Sequence, residues 1–367
     1  MSAPAPARAT PTTPTALPSR ADRAKTLRVS TAAIELIDAS DVLDLHIDTF
    51  IPPRLFGYDL EKRHGLGLLR GRFFGHLDFP RIREGGLTGA MWSITTNPIR
   101  SAKGRWRVFE DNLRALKSAI DTSGGRFCVA RTHAEYRSAR AAGAHACLLS
   151  IQGGSALEAA PLGPASIDDD AIVRVTLVHL TNSVYGATSS PLALRRRKEG
   201  LSDLGKELVR GLNARRIFVD LAHINREGFW EAVAVHDRAQ PLIATHTGVS
   251  GVKPHWRNLD DQQIRAIADT GGVVGVIFAQ NFLRAPGSPD DGRVVIDHME
   301  HIVRTAGEDF VAIGSDYDGA ITPPKDLRDG LGYPRLVQHM LDRGWSETRI
   351  RKILGANFLR AFAALRP

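Results

Sequence analysis

Nine short apolar, β-branched runs, separated by stretches of helical period, set the strongest constraint on how this chain can fold. They are Val42–His46, Leu87–Ile94, Phe127–Ala130, Cys147–Ile151, Val173–Val178, Ile217–Leu221, Leu242–Thr245, Val273–Phe278 and Val311–Ser315. Several are apolar throughout rather than alternating, as parallel strands covered on both faces are. Between them Trp106–Thr122, Leu201–Ala214, Arg226–Val235 and Asp260–Ala268 read as helices, and Asp260 stands three residues before Gln263 in a capping arrangement. Repeated strand–helix units predict a parallel α/β fold, and a (β/α)8 TIM-like barrel is the expectation. A doubly wound nucleotide-binding sheet is the rival, but no Gly-x-Gly-x-x-Gly follows the first run. A barrel needs eight strands, so one of the nine is accessory or not a strand.

Composition narrows the class. A chain of 367 residues can hold one such barrel, since barrels commonly run past about 250 residues. Hydrophobic residues make up 43% and charged residues 24%, an ordinary globular balance. No run of about 18 apolar residues argues for a membrane span. Two cysteines, Cys128 and Cys147, exclude a disulfide framework and read as small core hydrophobes, with a single bridge between them left open. The net charge is +8. Half of it sits in residues 1–30, where Arg8, Arg20, Arg23, Lys25 and Arg28 face Asp22 alone. The densest later run, Arg195–Lys198, reads as a solvated loop. Without aromatic-basic interleaving or zinc-finger spacing, nucleic acid is not an expected partner, and neither is a membrane. Ala, Pro and Thr fill fourteen of the first twenty positions. That composition predicts a disordered leader over 1–30 ahead of a single catalytic barrel over 31–367. The leader lacks the apolar core of a secretory signal, which makes the cytoplasm the expected location.

The ends of the apolar runs carry the chemistry. The first closes on His46-Ile47-Asp48, the fourth on Gln152-Gly153-Gly154, the fifth on His179, the sixth on Asp220-Leu221-Ala222-His223, the seventh on His246 and the last on Asp316. In a (β/α)8 barrel the C-terminal strand ends form the active face. Imidazole and carboxylate groups meeting there suit a divalent transition metal, zinc first. His46 and Asp48 share a face two residues apart, so both can bind one ion. His223 and His246 can hold a second ion or complete the first. Asp316 is placed to accept a proton from metal-bound water. Singly each histidine is more often structural; it is their common placement that points to a site.

These motifs resemble the membrane (renal) dipeptidase family, the zinc dipeptidases of the amidohydrolase superfamily (peptidase family M19). The resemblance covers nearly everything after the leader. It is strongest in Phe218–His223, in His246-Thr247-Gly248-Val249 through His255-Trp256-Arg257-Asn258-Leu259, in Gln263–Gly275 and in Gly314–Gly319. His46-x-Asp48, Gly85-Gly86 through Trp92-Ser93, and Leu177–Asn182 also match. The resemblance implies a metallo-dependent-hydrolase barrel with two zinc ions, His46 and Asp48 on one and His223 and His246 on the other. It places His179 near the scissile carbonyl, Arg257 near the substrate carboxylate and Asp316 as the proton-handling aspartate. It implies a small dipeptide-like substrate, with a D-residue tolerated at its C-terminal position, and a homodimer by analogy.

One position departs from the family. Where the family has a glutamate that bridges the two metals, this chain has Gln152. An amide oxygen is neutral, a weaker ligand and poorly suited to bridging two cations. The expected function is therefore a metal-dependent dipeptidase-like hydrolase working with one ion or a weakened pair. Two alternatives stay open on the sequence. One is a metal-poor, catalytically dead homologue acting as a binding module. The other is a family member diverted to another reaction on a specialised metabolite.

Overall fold

The computed structural model describes residues 17–65, 72–167, 170–191, 193 and 200–367. The first sixteen residues of the leader and the Arg195–Lys198 run lie outside them. Among the described residues nine strands form one parallel sheet: β1 (Leu43–Ile47), β2 (Gly89–Thr95), β3 (Phe127–Val129), β4 (His145–Gln152), β5 (Ile172–Thr176), β6 (Phe218–Asp220), β7 (Ile243–Thr247), β8 (Val273–Val276) and β9 (Val311–Ile313). The ring closes twice over: β1 pairs with both β2 and β9, and β2 skips β3 to pair with β4. Eight strands thus make a closed barrel. The ninth, β3, is the accessory one; it pairs only with the start of β4, Phe127 to Val129 against His145 to Cys147.

Two apolar layers hold this ring. The outer one packs strand residues such as Ile47, Trp92, Ile151, Val219 and Ile313 against the surrounding helices. The inner one gathers Leu43, Leu45, Met91, Leu148, Val173, Phe218, Ile243 and Val273 with Phe358, Phe362 and Leu365 of the helix Asn357–Leu365. That terminal helix stops the N-terminal mouth of the barrel, its Phe358 and Phe362 rings 5.7 and 6.3 Å from Phe218. The lower half of the barrel is therefore dry and filled, and only the C-terminal half is free for polar groups. Cys147 is buried in the outer layer, and both cysteines are free thiols. Among the described residues no helix is long and apolar enough to cross a membrane.

The leader departs from expectation. Arg20–Leu27 forms helix α1, with the Ser19 hydroxyl accepting from the Asp22 amide as its cap. It packs on helix α2 (Thr31–Ala39). Ala24 is buried, and Arg20 and Arg23 reach Asp38 of α2 at 2.9 and 2.7 Å. The Arg335 guanidinium donates to the Leu27 carbonyl at 2.6 Å, tying α1 to the body. Composition averaged over thirty residues hid a capped helix at the end of the segment expected to be disordered. Deleting residues 1–28 is accordingly expected to lower the melting temperature by a few degrees, since loss of this packing and pairing costs on the order of 1–2 kcal/mol. An unchanged melting curve for the truncated chain would show that α1 contributes nothing.

Candidate active site

Three one-residue slips in strand register aim the side chains that matter. From Asp44 to Ile47 β1 advances three residues while β2 advances two, Ala90 to Trp92. From Ile172 to Arg174 β5 advances two against one in β4, Leu149 to Ser150. From Ala244 to Thr247 β7 advances three against two in β8, Val274 to Val276. An extra residue lets two successive side chains face the same side and re-aims the residues beyond it. Leu45 and Val173 lie in the inner apolar layer, yet the next residues, His46 and Arg174, also point inward and meet at 2.9 Å. Two further site residues sit in left-handed backbone, His223 at φ 68° and Asp316 at φ 64°. Such positions are uncommon for non-glycine residues and gather at functional sites.

All eight residues singled out in the sequence meet above the inner apolar layer. The His46 and His246 rings lie against each other with centroids 3.8 Å apart and planes tilted by 30°. The His223 and His246 Nε2 atoms face each other at 2.9 Å, and His179 lies edge-on to His223 with centroids 4.7 Å apart. Asp316 and Asp48 carboxylates stand 3.5 and 3.7 Å from His46 Nε2. Gln152, with its amide turned so that donors meet acceptors, donates to both Asp48 oxygens at 3.2 and 3.1 Å. Its oxygen accepts from His179 Nε2 at 3.3 Å and His46 Nε2 at 3.1 Å. Arg257 donates to the His246 carbonyl at 2.6 Å while its buried Nε has no partner among the described residues. A cavity of about 220 Å³ opens beside the cluster, lined by His223, Arg257, Trp256 and Ser250 among others.

Sequence reasoning missed the layer that supports this cluster. Asp220, fully buried, accepts from the Thr245 and Ala222 amides and from the Thr245 and Thr176 hydroxyls, the last two at 2.8 and 2.6 Å. Arg174 is also fully buried and lies 3.4 Å from Asp220. It donates to the Ile151 carbonyl at 3.2 Å, to Ser93 Oγ at 2.7 Å and to His46 Nδ1. The available signal was an arginine interrupting an apolar run, two residues from Thr176 on a shared face. The nearby Asp318 is structural: it takes the Gly75, His76 and Leu77 amides and the Thr49 hydroxyl.

Burial dominates the protonation of the cluster. It pushes His46, His223 and His246 well below the usual imidazole range and His179 down to about 4. Burial also pushes the Asp48 carboxyl up to about 6, opposed by His179 and Arg174. The Asp316 carboxyl is raised well above the ordinary range by burial and then by Asp48, with Arg257 opposing. Burial lowers Arg257 to about 10. Neutral imidazoles beside carboxylates are a donor set that receives cations.

The donor set fits a metal unevenly. Thr245 gives its one hydroxyl proton to Asp220, so at 2.8 Å it accepts from His246 Nδ1, which leaves His246 Nε2 unprotonated, an acceptor facing His223 Nε2 at 2.9 Å. His223 Nε2 aims at the same point, and its Nδ1 has no partner among the described residues. Ligand atoms of His46, His246 and Asp316 all lie within 4.8 Å of one another. The His46–Asp48 half is less suited, because Gln152 occupies Asp48 and Arg174 occupies His46 Nδ1.

Comparison with known proteins identifies the family and the fold. The family profile described as membrane dipeptidase (peptidase family M19) matches residues 31–366. The solved structure of dipeptidase AC, a metallopeptidase of family M19, is 30% identical with a TM-score of 0.77 over 88% of this chain and 99% of that one. A metallopeptidase from Rhodobacter sphaeroides, liganded with a phosphinate mimic of the dipeptide L-Ala-D-Ala, is 30% identical with a TM-score of 0.79 over 89% and 100%. The probable dipeptidase PvdM from Pseudomonas aeruginosa shares the fold at 20% identity, with a TM-score of 0.79 over 93% and 98%. An uncharacterized protein encoded 5′ of pqqA in Klebsiella pneumoniae is 41% identical over 164 residues, 44% of this chain; that match spans 59% of the relative's length.

Proposed function

This chain belongs to the membrane dipeptidase family, peptidase family M19, and from that premise we propose a metal-dependent hydrolase that cleaves a dipeptide or related small amide. The observation that carries the proposal is the meeting of His223 and His246 Nε2, with the His246 tautomer held ready for a ligand role through Thr245 and Asp220. A divalent ion held by these histidines, zinc by the nature of the donors, would supply Lewis acidity at a carbonyl or water oxygen. Asp316 takes and returns the proton from its place in the cluster, 3.5 Å from His46 Nε2. His179 donates toward the scissile carbonyl from the rim. Arg257, held by the His246 carbonyl, keeps its Nε free for the substrate carboxylate. The phosphinate dipeptide mimic bound by the Rhodobacter sphaeroides relative supports a substrate of L-D type.

The test is hydrolysis of L-L and L-D dipeptides by the zinc-loaded protein, each compared with its C-terminal amide. Free acids are expected to be cleaved with kcat/KM at least tenfold above the amides, and Arg257→Met is expected to close that gap. Failure to cleave any dipeptide overturns the proposal. The pairing of Gln152 with Asp48 and of Arg174 with His46 favours one second reading, a pocket that binds without cleaving. Absence of both zinc uptake and hydrolysis would select it.

A further inference from the structure

We propose that Arg174 holds His46 as a hydrogen-bond donor facing the pocket, closing the His46–Asp48 half of the centre to metal, so that this chain takes one divalent ion rather than two. The inference rests on the hydrolase reading above and sharpens it.

A guanidinium donates and never accepts. Arg174 Nη2 lies 2.9 Å from His46 Nδ1 and 2.7 Å from Ser93 Oγ, and Nη1 donates to the Ile151 carbonyl at 3.2 Å. The side chain is wholly enclosed and paired with Asp220 at 3.4 Å, so it has nowhere to retreat. His46 Nδ1 must therefore accept, and the proton of the neutral ring sits on Nε2. The other side of the ring is consistent with this once the Gln152 nitrogen is turned toward the Asp48 carboxylate. Nε2 faces the Gln152 oxygen at 3.1 Å, and the Gln152 nitrogen donates to both Asp48 oxygens. Donors and acceptors are matched along the whole array from Arg174 through His46 and Gln152 to Asp48.

Metal-bound histidines usually give their second N–H to a carboxylate or carbonyl, which frees the other nitrogen for the ion. His246 does this through Thr245. His46 is wired in the opposite sense. To ligate through Nε2 while Nδ1 still accepts from Arg174, its ring would have to lose both protons. The buried guanidinium also sets a fixed positive charge where a second ion would otherwise bring one. The two neighbouring rings thus divide the work: His246 is a ligand, and His46 is an N–H backed by a cation, able to stabilise negative charge developing on a carbonyl oxygen. Arg174 is the positioning residue for that N–H.

The test reads zinc stoichiometry together with imidazole ¹⁵N shifts of His46 in wild type, Gln152→Glu, Arg174→Met and the double variant. The wild type is expected to bind one zinc per chain with His46 still protonated on Nε2 at saturating zinc. Gln152→Glu alone is expected to stay at one. The Arg174→Met/Gln152→Glu protein is expected to bind two, with His46 Nε2 moving to a metal-bound shift. Two zinc ions in the wild type, or a metal-bound His46 Nε2 there, overturn the inference and leave the hydrolase reading intact. A double variant that folds and still binds one ion also overturns it. The wild-type measurements decide the matter even if the double variant does not fold. One zinc and a protonated Nε2 without dipeptide hydrolysis would sink the hydrolase reading alone, and no zinc uptake sinks both.

Discussion

Replacing His246 by alanine is expected to remove bound metal and to lower kcat/KM by about three orders of magnitude or more. The ring sits at the centre of the site: its Nε2 meets His223 at 2.9 Å, its centroid lies 3.8 Å from that of His46, and its Nδ1 ends the relay through Thr245 to Asp220. No neighbouring histidine can take over, since His46 is protonated on the pocket side and His223 lacks any acceptor for Nδ1 among the described residues. Thr245→Val separates the relay from the ligand itself. It keeps the imidazole but removes the oxygen that fixes its tautomer, and a loss of about 10–100-fold in metal affinity is expected. Metal content after dialysis and steady-state rates on one dipeptide measure both effects, with the melting curve as the check on folding. Full metal and full activity in His246→Ala would show that the site assignment is wrong.

How much of this was legible in the sequence depended on how local the signal was. All nine apolar runs became strands, because a parallel barrel strand needs apolar residues on both faces and little else does. The capping box at Asp260 and Gln263 was readable for the same reason: two side chains satisfy each other's backbone three residues apart. The site residues were readable as a group because they follow strand ends, and the barrel gathers strand ends. What stayed hidden needed knowledge of pairing. Nothing in Val173–Val178 announces that β5 carries an extra residue opposite β4, yet that slip turns Arg174 inward beside His46. Gln152 was visible as a substitution; that it completes an array begun by Arg174 was not. The accessory strand β3 resembled the others because it too is a short apolar run in parallel pairing, with Phe127 buried, although Cys128 and Val129 are only half-buried, unlike the ring strands.

Acid is expected to destabilise the protein well above the pH at which ordinary carboxylates titrate. In the presence of chelator, stability should fall by several kcal/mol between pH 7 and pH 5. The two clearest contributors lie outside the site. His145 gives Nδ1–H to the Leu87 carbonyl at 2.9 Å and accepts from the Trp92 indole at 3.2 Å. His298 accepts the Val249 amide at 2.9 Å and gives Nε2–H to the Leu283 carbonyl at 3.1 Å. Both nitrogens of each ring are engaged in a pattern only the neutral form can make, and both rings are buried. Burial pushes each down to about 4 from the ordinary 6.5. A folded-state pKa below the unfolded value means that the unfolded chain takes up the proton first, so stability is present above about 6.5 and lost as the pH falls toward 4. By pH 5 that is about 2 kcal/mol for each ring. Asp48, raised to about 6, acts in the opposite sense: the folded state binds its proton first and regains roughly 1 kcal/mol over the same interval. Asp316 and Asp44, raised by burial as well, oppose the loss in the same way. Against these three carboxyls stand six histidines lowered by burial, His46, His145, His179, His223, His246 and His298, so the net sign is destabilising. Urea unfolding at pH 7, 6 and 5 measures the slope, and histidine NMR shows whether His145 and His298 stay neutral down to pH 5 in the folded protein. A flat stability profile, or titration of either ring near 6.5, would contradict the buried neutral state argued for them.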